Sequence, residues 1–302
     1  MPPKVSILIT VYNRDAYLAD AVESALQSSF QDFELIIVDD CSTDRSVEIA
    51  QAYAARDRRI RVYVNDENLG DFANRNRAAS YANGTYLKYL DADDIIYPYS
   101  LQSMVEAMGR FPQAGLGLSY NVIDDNKPYP QCITPRQAYQ SFFLGCNVLM
   151  VGPSAAIIRR DSFEQVGGFH PGDHIGDTAL WLRLAAQFPV VKLQPALVWW
   201  RQHPEQQSIL EKSRLNILNT RFQLKMETLE HCGELLRDDE KRRARKKLDR
   251  DHGRCLWSIA LKQRRPWTAL TLFRQCDLGG FGMLCSLFRP GRRTRFNGIV
   301  GK

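Results

Sequence analysis

The chain has 302 residues, of which 44% are hydrophobic and 25% charged, a composition typical of a globular protein and not of a disordered or fibrous one. Its net charge of +6 is unevenly distributed, because residues 241–302 carry +14 and residues 1–240 carry −8. The seven cysteines are odd in number and form no Cys-x-x-Cys pair, which argues against a disulfide scaffold or a zinc site and for a reducing cytosol.

Apolar runs of strand length alternate with helical apolar spacing through the first half of the chain. In order, these are a strand over 5–11, a helix with apolar residues from 18 to 26, a strand over 33–38, a helix opening at 42–46, a strand over 60–64, a helix near 71–82 and a strand over 86–90. This alternation predicts an α/β fold with a mostly parallel central sheet and flanking helices.

The most informative stretch is Tyr86–Asp94, an apolar run that ends in Asp91, Asp93 and Asp94. Carboxylates clustered at the end of a buried strand repel one another and resist desolvation, so a divalent cation would stabilise them. Hard oxygen ligands suit Mg²⁺ or Mn²⁺, and such an ion can bridge to phosphates. Taken alone, the cluster also fits ordinary acidic charge at the start of the helix predicted after Pro98.

The common phosphate-binding loops do not occur in this sequence. No Gly-x-Gly-x-x-Gly follows the first strand, and there is no Gly-x-x-x-x-Gly-Lys-Ser/Thr loop, which argues against dinucleotide dehydrogenases and P-loop NTPases. Ligands of such sheets bind outside the carboxyl ends of the strands, and those ends are polar and acidic here. We therefore expect phosphates to be held there by a metal and by basic side chains.

Several short motifs occur in order along the first two thirds of the chain. They are Val5–Arg14, Leu35–Asp44, Asn68–Gly70, Asn74–Asn76, Leu90–Asp94, Val166–Gly172 and Val198–His203. As a set they resemble the family 2 glycosyltransferases, whose catalytic domain has the GT-A fold. The resemblance implies a metal-dependent, inverting enzyme that moves a sugar from a nucleotide-diphosphate donor, with UDP or dTDP preferred, to a hydroxyl acceptor.

The resemblance also implies a function for individual residues. The implied donor-binding residues are Thr10, Tyr12, Asn13, Asp39, Asp40, Arg75 and Asp91. The implied ligands of a Mn²⁺ or Mg²⁺ ion are Asp93, Asp91 and His203. Plainer interpretations remain open: Asp39 and Asp40 can simply end a strand, Arg75 can be a solvated charge on a helix, and His203 can be a histidine at a strand end.

Asp177 is the catalytic base that the resemblance implies. A helix start would lower the pKa of its carboxylate and keep it ionised, although Asp177 also fits a plain helix N-cap. Family members usually have a second acid immediately before the base, and this chain has Gly176 there. That loss leaves open a catalytically impaired nucleotide-sugar or glycan-binding protein. A sugar nucleotidyltransferase is disfavoured, because the Gly-rich loop with Arg that opens such enzymes is not found after the first strand.

The predicted domains are a GT-A catalytic domain over 1–208, with a donor half over 1–97 and an acceptor half over 98–208, and a helical basic extension over 209–302. Basic helices with Trp and Phe suit an anionic membrane surface, and we expect no nucleic acid partner; a solvated basic face is the alternative. The flat faces of Trp181, Trp199 and Trp200 suit a sugar ring but also a core.

The expected partners are the nucleotide sugar and a glycan or lipid-linked glycan acceptor, in bacterial polysaccharide or lipid-linked glycan assembly. No signal peptide and no charge-free run of about 20 predominantly apolar residues is visible in the sequence. The predicted location is therefore cytoplasmic, with peripheral contact at the inner face of the cell membrane.

Overall fold

The computed structural model describes residues 2–120, 127–145, 147–170, 175–203, 206 and 216–276. Its strands are β1 (Val5–Val11), β2 (Phe33–Asp39), β3 (Ile60–Val64), β4 (Tyr86–Tyr89), β5 (Ile95–Ile96), β6 (Leu116–Ser119), β7 (Gln131–Ile133), β8 (Ala156–Arg159), β9 (Val190–Leu193) and β10 (Val198–Trp199). Its helices are α1 (Asp15–Leu26), α2 (Ser46–Ala54), α3 (Asp71–Ser80), α4 (Ser100–Arg110), α5 (Pro135–Leu144), α6 (Arg160–Gln165), α7 (Gly176–Gln187), α8 (Asn216–Glu230), α9 (Asp238–Trp257) and α10 (Pro266–Arg274).

Eight of these strands form one mixed sheet in the order β3-β2-β1-β4-β8-β6-β9-β7. β1 to β4 are parallel, as the strand-helix alternation predicts. β8 enters between β4 and β6 and is antiparallel to both. It does so because the chain reaches β8 through a 3-10 turn, Pro153–Ala155, that contacts the carboxyl end of β4 and then runs back along it. The α/β prediction is confirmed, with a parallel first half and a mixed second half.

A separate two-stranded ribbon joins β5 to β10 in antiparallel register. Ile95 lies opposite Trp199, and Ile96 lies opposite Val198. β5 directly follows Asp94. The ribbon therefore brings the acidic turn after β4 next to the segment that follows β10.

Helices cover both faces of the sheet, so its central strands are apolar on both sides. On β1, Leu8 packs into one hydrophobic cluster and its neighbours Ile7 and Ile9 into the other. Buried Trp181 of α7 belongs to the first cluster, and buried Leu18 of α1 to the second. Because side chains alternate along a strand, each apolar run supplies both cores.

The C-terminal helices pack on the rest of the chain through α5. That helix starts sharply, with a capping box between Thr134 and Gln137 and with Pro135 in its first turn. Glu240 of α9, which is buried, accepts hydrogen bonds from Arg136 Nη2 at 2.7 Å and from Gln140 Nε2 at 2.8 Å. These polar contacts fix α9 against α5.

Apolar contacts also join α5 to α9, and we call this contact between the two helices the seam. Leu236 and Ala244 are buried in the same cluster as Tyr139 and Phe143 of α5. The domain boundary at 208/209 stays a prediction, but helices beyond it share a core with helices before it. None of the helices in the described ranges has the length and apolar character that a membrane crossing requires. Of the helical basic extension predicted over 209–302, the structure describes residues 216–276, which form α8 to α10, and residues 209–215 and 277–302 lie outside the described residues.

Candidate active site

The polar ends of β1, β2 and β4 meet at one edge of the sheet, because the three strands are parallel neighbours. Thr10 to Asn13 follow or end β1, Asp39 and Asp40 end β2, and Asp91 to Asp94 follow β4. The amino ends of α1 and α3 lie beside these strand ends. Nearly all of the predicted site residues therefore come together, as the motif order implied.

Asp39 offers an unsatisfied acceptor at this edge. It is 1% exposed, and its Oδ1 accepts a hydrogen bond from the Ser42 N–H at 2.7 Å. Its Oδ2 is buried and has no hydrogen-bond partner among the described residues. A buried carboxylate oxygen without a partner is costly, so a donor from a ligand would stabilise it. Half-buried Thr10 and the 49% exposed Tyr12 lie at the end of β1 nearby.

Asn13 and Asp40 hold the surrounding loops. Asn13 has a φ of 51°, and its Oδ1 accepts a hydrogen bond from the Thr43 N–H at 2.8 Å. Asp40 accepts hydrogen bonds from the N–H groups of Leu69 and Gly70, both at 2.9 Å. These contacts tie the end of β1 to the loop after β2, and the end of β2 to the start of α3. Direct contact of either residue with a donor stays a prediction.

Asp93 and His203 form a carboxylate-imidazole pair. His203 Nε2 lies 2.8 Å from Asp93 Oδ2, and both residues are buried. The Tyr17 ring lies 4.5 Å from the His203 ring, and Arg14 Nε lies 3.6 Å from Asp93 Oδ2. The carboxylate-imidazole pair fits a divalent cation, which would take its remaining ligands from phosphate oxygens and water.

Asp91, the third predicted metal ligand, makes a different contact. Its Oδ1 accepts a hydrogen bond from Arg75 Nη2 at 2.9 Å, and Arg75 Nε donates to Asp71 Oδ1 at 2.8 Å. Within the described ranges, no three His, Cys, Asp or Glu side chains converge to hold a metal ion. The structure therefore brings Asp93 and His203 together and places Asp91 on the guanidinium.

Arg75 is buried between two carboxylates, so its interpretation as a solvated helix charge is wrong. Burial alone would lower the pKa of the guanidinium, but Asp71 and Asp91 outweigh burial and raise it. Its Nη1 is buried and has no hydrogen-bond partner in the described part of the chain. The guanidinium thus presents one free N–H edge from the centre of the acidic cluster.

Lys88 lies beneath the acidic turn, Asp91–Asp94, and the sequence motifs did not identify it. It is fully buried on β4, and its Nζ donates to the main-chain oxygens of Tyr89, at 2.8 Å, and Ser154. Ser154 Oγ in turn accepts a hydrogen bond from the Asp91 N–H at 3.0 Å. Burial lowers the pKa of Lys88 to about 7, against the opposing effect of Asp91 and Asp94. A charged residue inside an apolar run was the available sequence signal.

Arg201, also missed, fastens the segment that carries His203. Its Nε donates to the main-chain oxygen of Asp93 at 2.9 Å, and its own N–H donates to Asp94 Oδ1 at 3.2 Å. Its Nη2 donates to Asp20 Oδ2 at 2.7 Å, on α1. Three parts of the chain are held by one side chain, which positions His203 over Asp93.

Two aromatic rings sandwich the Arg201 guanidinium. Its central carbon lies 5.1 Å from the Tyr17 ring centre and 5.0 Å from that of Trp199. Trp199 and Trp200 are 44% and 49% exposed, whereas Trp181 is fully buried. Of the three tryptophans, Trp181 is therefore core, and the other two present open faces next to the site.

Asp177 is the second residue of α7, and Ile175 occupies the N-cap position, so the prediction that Asp177 caps the helix is wrong. Its Oδ1 accepts a hydrogen bond from the Thr178 N–H at 2.6 Å. Burial raises the pKa of Asp177, and nearby Asp91 adds to that effect. The hydrogen bond and the Arg75 charge act in the opposite direction but do not prevail. The prediction that the helix start lowers the pKa of Asp177 is therefore wrong, because the effect of desolvation is larger.

Gly176 has no room for a side chain. A Cβ built there would lie 2.5 Å from Phe72 Cε1. The Phe72 ring stacks on Phe169, with ring centres 5.6 Å apart, and both backbone groups of Phe169 are hydrogen-bonded by the Asn76 side chain. The acid that the resemblance anticipates before Asp177 is thus replaced by an aromatic ring from α3.

Comparison with known proteins agrees with this geometry. The profile of the family described as glycosyl transferase family 2 matches residues 6–167. A Bacillus subtilis (strain 168) relative named for teichuronic acid biosynthesis, the glycosyltransferase TuaG, is 35% identical over 156 residues, 49% of this chain and 62% of the relative. An uncharacterized glycosyltransferase of Haemophilus influenzae is 38% identical over 106 residues, 35% of this chain and 42% of the relative. The matches span less than two thirds of these relatives.

Solved structures share the fold across most of the chain. Staphylococcus aureus TarS 1–349, in complex with UDP-GlcNAc, superimposes with a TM-score of 0.66 at 17% identity, over 88% of this chain and 79% of that one. The Pyrobaculum calidifontis mannosyltransferase PcManGT, in complex with GDP-Man and Mn²⁺, superimposes with a TM-score of 0.64 at 16% identity, over 95% of this chain and 84% of that one. The GT-A fold predicted from the sequence motifs is therefore confirmed.

The packing of Gly176 yields a stability prediction. Gly176→Ala should destabilise the protein by about 1–3 kcal/mol, because the new methyl group overlaps the Phe72 ring. Gly109→Ala is the matched control: no atom lies within 4 Å of its Cβ position on α4, so the change should stabilise by roughly 0.5–1 kcal/mol. In urea unfolding, adding Phe72→Ala should make the Gly176→Ala change nearly neutral. Equal stability of Gly176→Ala and the wild type would contradict the overlap.

Proposed function

The chain belongs to glycosyl transferase family 2, and from that membership we propose that it transfers a sugar from a nucleotide-diphosphate donor to a hydroxyl group of an acceptor. The observation that carries the proposal is the different setting of two carboxylates. Asp93 is paired with an imidazole, whereas burial raises the pKa of Asp177. Separate environments of this kind let one carboxylate serve the leaving group and the other accept a proton.

The nucleoside would lie over the ends of β1 and β2. Asp39 Oδ2 needs a donor, and the imino N–H of the base in a UDP or dTDP sugar would supply one. The free Nη1 of Arg75 would donate to the diphosphate, since arginine pairs well with phosphate oxygens. Tyr12, which is 49% exposed, would cover the base. Asp91 would act on the donor through Arg75.

Asp93 and His203 would hold the divalent cation, Mn²⁺ or Mg²⁺. When bound, the ion would neutralise the charge that develops on the departing diphosphate. Arg201 keeps both ligands in place through its contacts with the acidic turn. A structural neighbour of this chain was solved with Mn²⁺, which supports this choice of ion.

Asp177 would accept the proton of the acceptor hydroxyl. The acceptor oxygen attacks the anomeric carbon, the bond from that carbon to the diphosphate breaks with its electron pair passing to the diphosphate, and the proton passes to a carboxylate oxygen of Asp177. Attack from the face opposite the leaving group inverts the anomeric centre. Burial raises the pKa of the Asp177 carboxyl, so its ionised form is a stronger base than an ordinary aspartate.

The alternative of an impaired binding protein depended on the missing acid at Gly176. The Phe72 ring occupies that space, so the glycine follows from packing and not from decay of the site. We therefore favour an active enzyme, with a glycan or lipid-linked glycan as acceptor. The relative named for teichuronic acid biosynthesis supports polysaccharide assembly as the setting.

The turn between α9 and α10 supports contact with an anionic membrane surface. Residues 261–267 are all exposed, and Leu261 and Trp267, at 66% and 79% exposure, flank Lys262, Arg264 and Arg265. Apolar side chains beside several cations suit the headgroup region of a cytoplasmic leaflet, where they would bind peripherally.

The enzyme proposal is tested by nucleotide release from a panel of nucleotide sugars with Mn²⁺ or Mg²⁺. Asp177→Asn should abolish transfer while leaving donor affinity nearly unchanged, because Asp177 acts on the acceptor. In the wild type, transfer should fall as the pH drops through the raised pKa of Asp177, since only the ionised carboxylate accepts a proton. Asp32→Asn, an exposed change just before β2, is the matched control. Equal loss of donor binding and transfer in Asp177→Asn would refute the assignment.

Membrane contact is tested by sedimentation with phosphatidylserine-containing vesicles. Changing Arg264 and Arg265 together to Gln should weaken binding about 30-fold, at about 1 kcal/mol for each cation, and Trp267→Ser should weaken it further. Changing exposed Arg56 and Arg58 together to Gln removes the same charge elsewhere and should have little effect. Equal binding of all variants would rule out the 261–267 turn as the contact.

A further inference from the structure

Arg14 occupies part of the space around the proposed metal ligand Asp93. Its Nε lies 3.6 Å from Asp93 Oδ2, the same oxygen that contacts His203 Nε2 at 2.8 Å. The Arg14 and Asp93 side chains are 23% and 12% exposed, so this ion pair is only partly screened by water. Without any ligand, a guanidinium therefore already compensates the carboxylate that a metal would bind.

The backbone of Arg14 is fixed while its side chain spans the site. Arg14 is the N-cap residue of α1, and its N–H donates to Ser46 Oγ at 2.9 Å. Its Nη1 donates to the Asn13 main-chain oxygen at 2.9 Å, at the point where Asn13 has a φ of 51°. The guanidinium thus lies between the end of β1, where the nucleotide is proposed to bind, and the acidic turn after β4.

A divalent cation and a guanidinium compete for one carboxylate oxygen. A metal ion bound to Asp93 Oδ2 and a guanidinium beside the same oxygen would repel each other, so metal binding there favours movement of Arg14 away from Asp93. A diphosphate gives the displaced guanidinium a partner with more charge and with matching geometry. The nucleotide therefore draws Arg14 away from Asp93, where the metal binds. The metal in turn frees Arg14 to bind the diphosphate.

We propose that Arg14 substitutes for the metal on Asp93 in the ligand-free site and moves to the diphosphate when metal and nucleotide bind together. Arg14 then couples the two ligands: each binds weakly alone and more tightly with the other, by the same factor in both directions. The movement of Arg14 to the diphosphate rests on the proposed nucleotide donor. The competition between Arg14 and the metal for Asp93 does not depend on a donor.

Titration of the full chain with Mn²⁺, followed by electron paramagnetic resonance of the free ion, tests the competition. Arg14→Gln should bind Mn²⁺ alone about 1.5- to 5-fold more tightly than the wild type, the range expected for a partly exposed ion pair. Arg14→Lys retains the positive charge, so its Mn²⁺ affinity should stay close to that of the wild type. Asp93→Asn should lose this binding, which locates the ion. Arg45→Gln, at an exposed arginine paired with Glu48, is the matched control.

The coupling is tested by repeating the Mn²⁺ titration with UDP, dTDP and GDP. In the wild type, the nucleotide that binds should increase Mn²⁺ affinity, and Arg14→Gln should reduce both that increase and the nucleotide affinity. Unchanged or weaker binding of Mn²⁺ alone in Arg14→Gln overturns the proposal; Arg14→Met provides the same comparison if Arg14→Gln unfolds. Tighter Mn²⁺ binding without nucleotide binding by any variant would instead refute the donor proposal and leave the competition standing.

Discussion

Repulsion among carboxylates at one edge of the sheet is the constraint on which the rest of the site depends. Parallel strands end together, so the acids that follow β4 and Asp71 at the start of α3 crowd into the same space. The structure compensates with cations placed around them. Arg75 lies between two of the acids, Lys88 lies beneath them, and Arg201 binds the backbone of the turn. Each of these contacts also fixes a segment that carries a functional side chain.

The same placement of cations gives Asp93 and Asp177, the two principal carboxylates, different environments. Asp93 faces a histidine and an arginine, so its charge is matched before any ligand binds. Asp177 lies on α7, where burial and neighbouring acids raise its pKa. The Asp71–Arg75–Asp91 bridge lies near both of them. One cluster of acids can therefore serve a leaving group and a nucleophile, because the two carboxylates lie in different environments.

Local patterns predicted the parallel half of the sheet, because strand-helix alternation determines where strand ends lie. The family resemblance, and not the spacing, implied that Asp93 and His203 lie together. Local patterns did not predict the antiparallel entry of β8, which depends on the path of the chain past the end of β4. The start of a helix predicted a lowered pKa for Asp177, whereas burial by segments distant in sequence raises it. The fit of Phe72 against Gly176 joins residues far apart in sequence, and no spacing rule reports it.

The seam between α5 and α9 makes the C-terminal helices a poor unit for exchange between relatives. Glu240 has its hydrogen-bond donors on α5, so a chimera joined near residue 208 would bring a foreign partner to a buried carboxylate. It would also divide a hydrophobic cluster between two parental sequences. Moving α5 together with the C-terminal helices would not avoid this, because Tyr139 of α5 packs in the same cluster as Trp181 of α7 and donates a hydrogen bond to the Leu182 main-chain oxygen. The C-terminal helices therefore have to evolve together with the catalytic fold that they pack against.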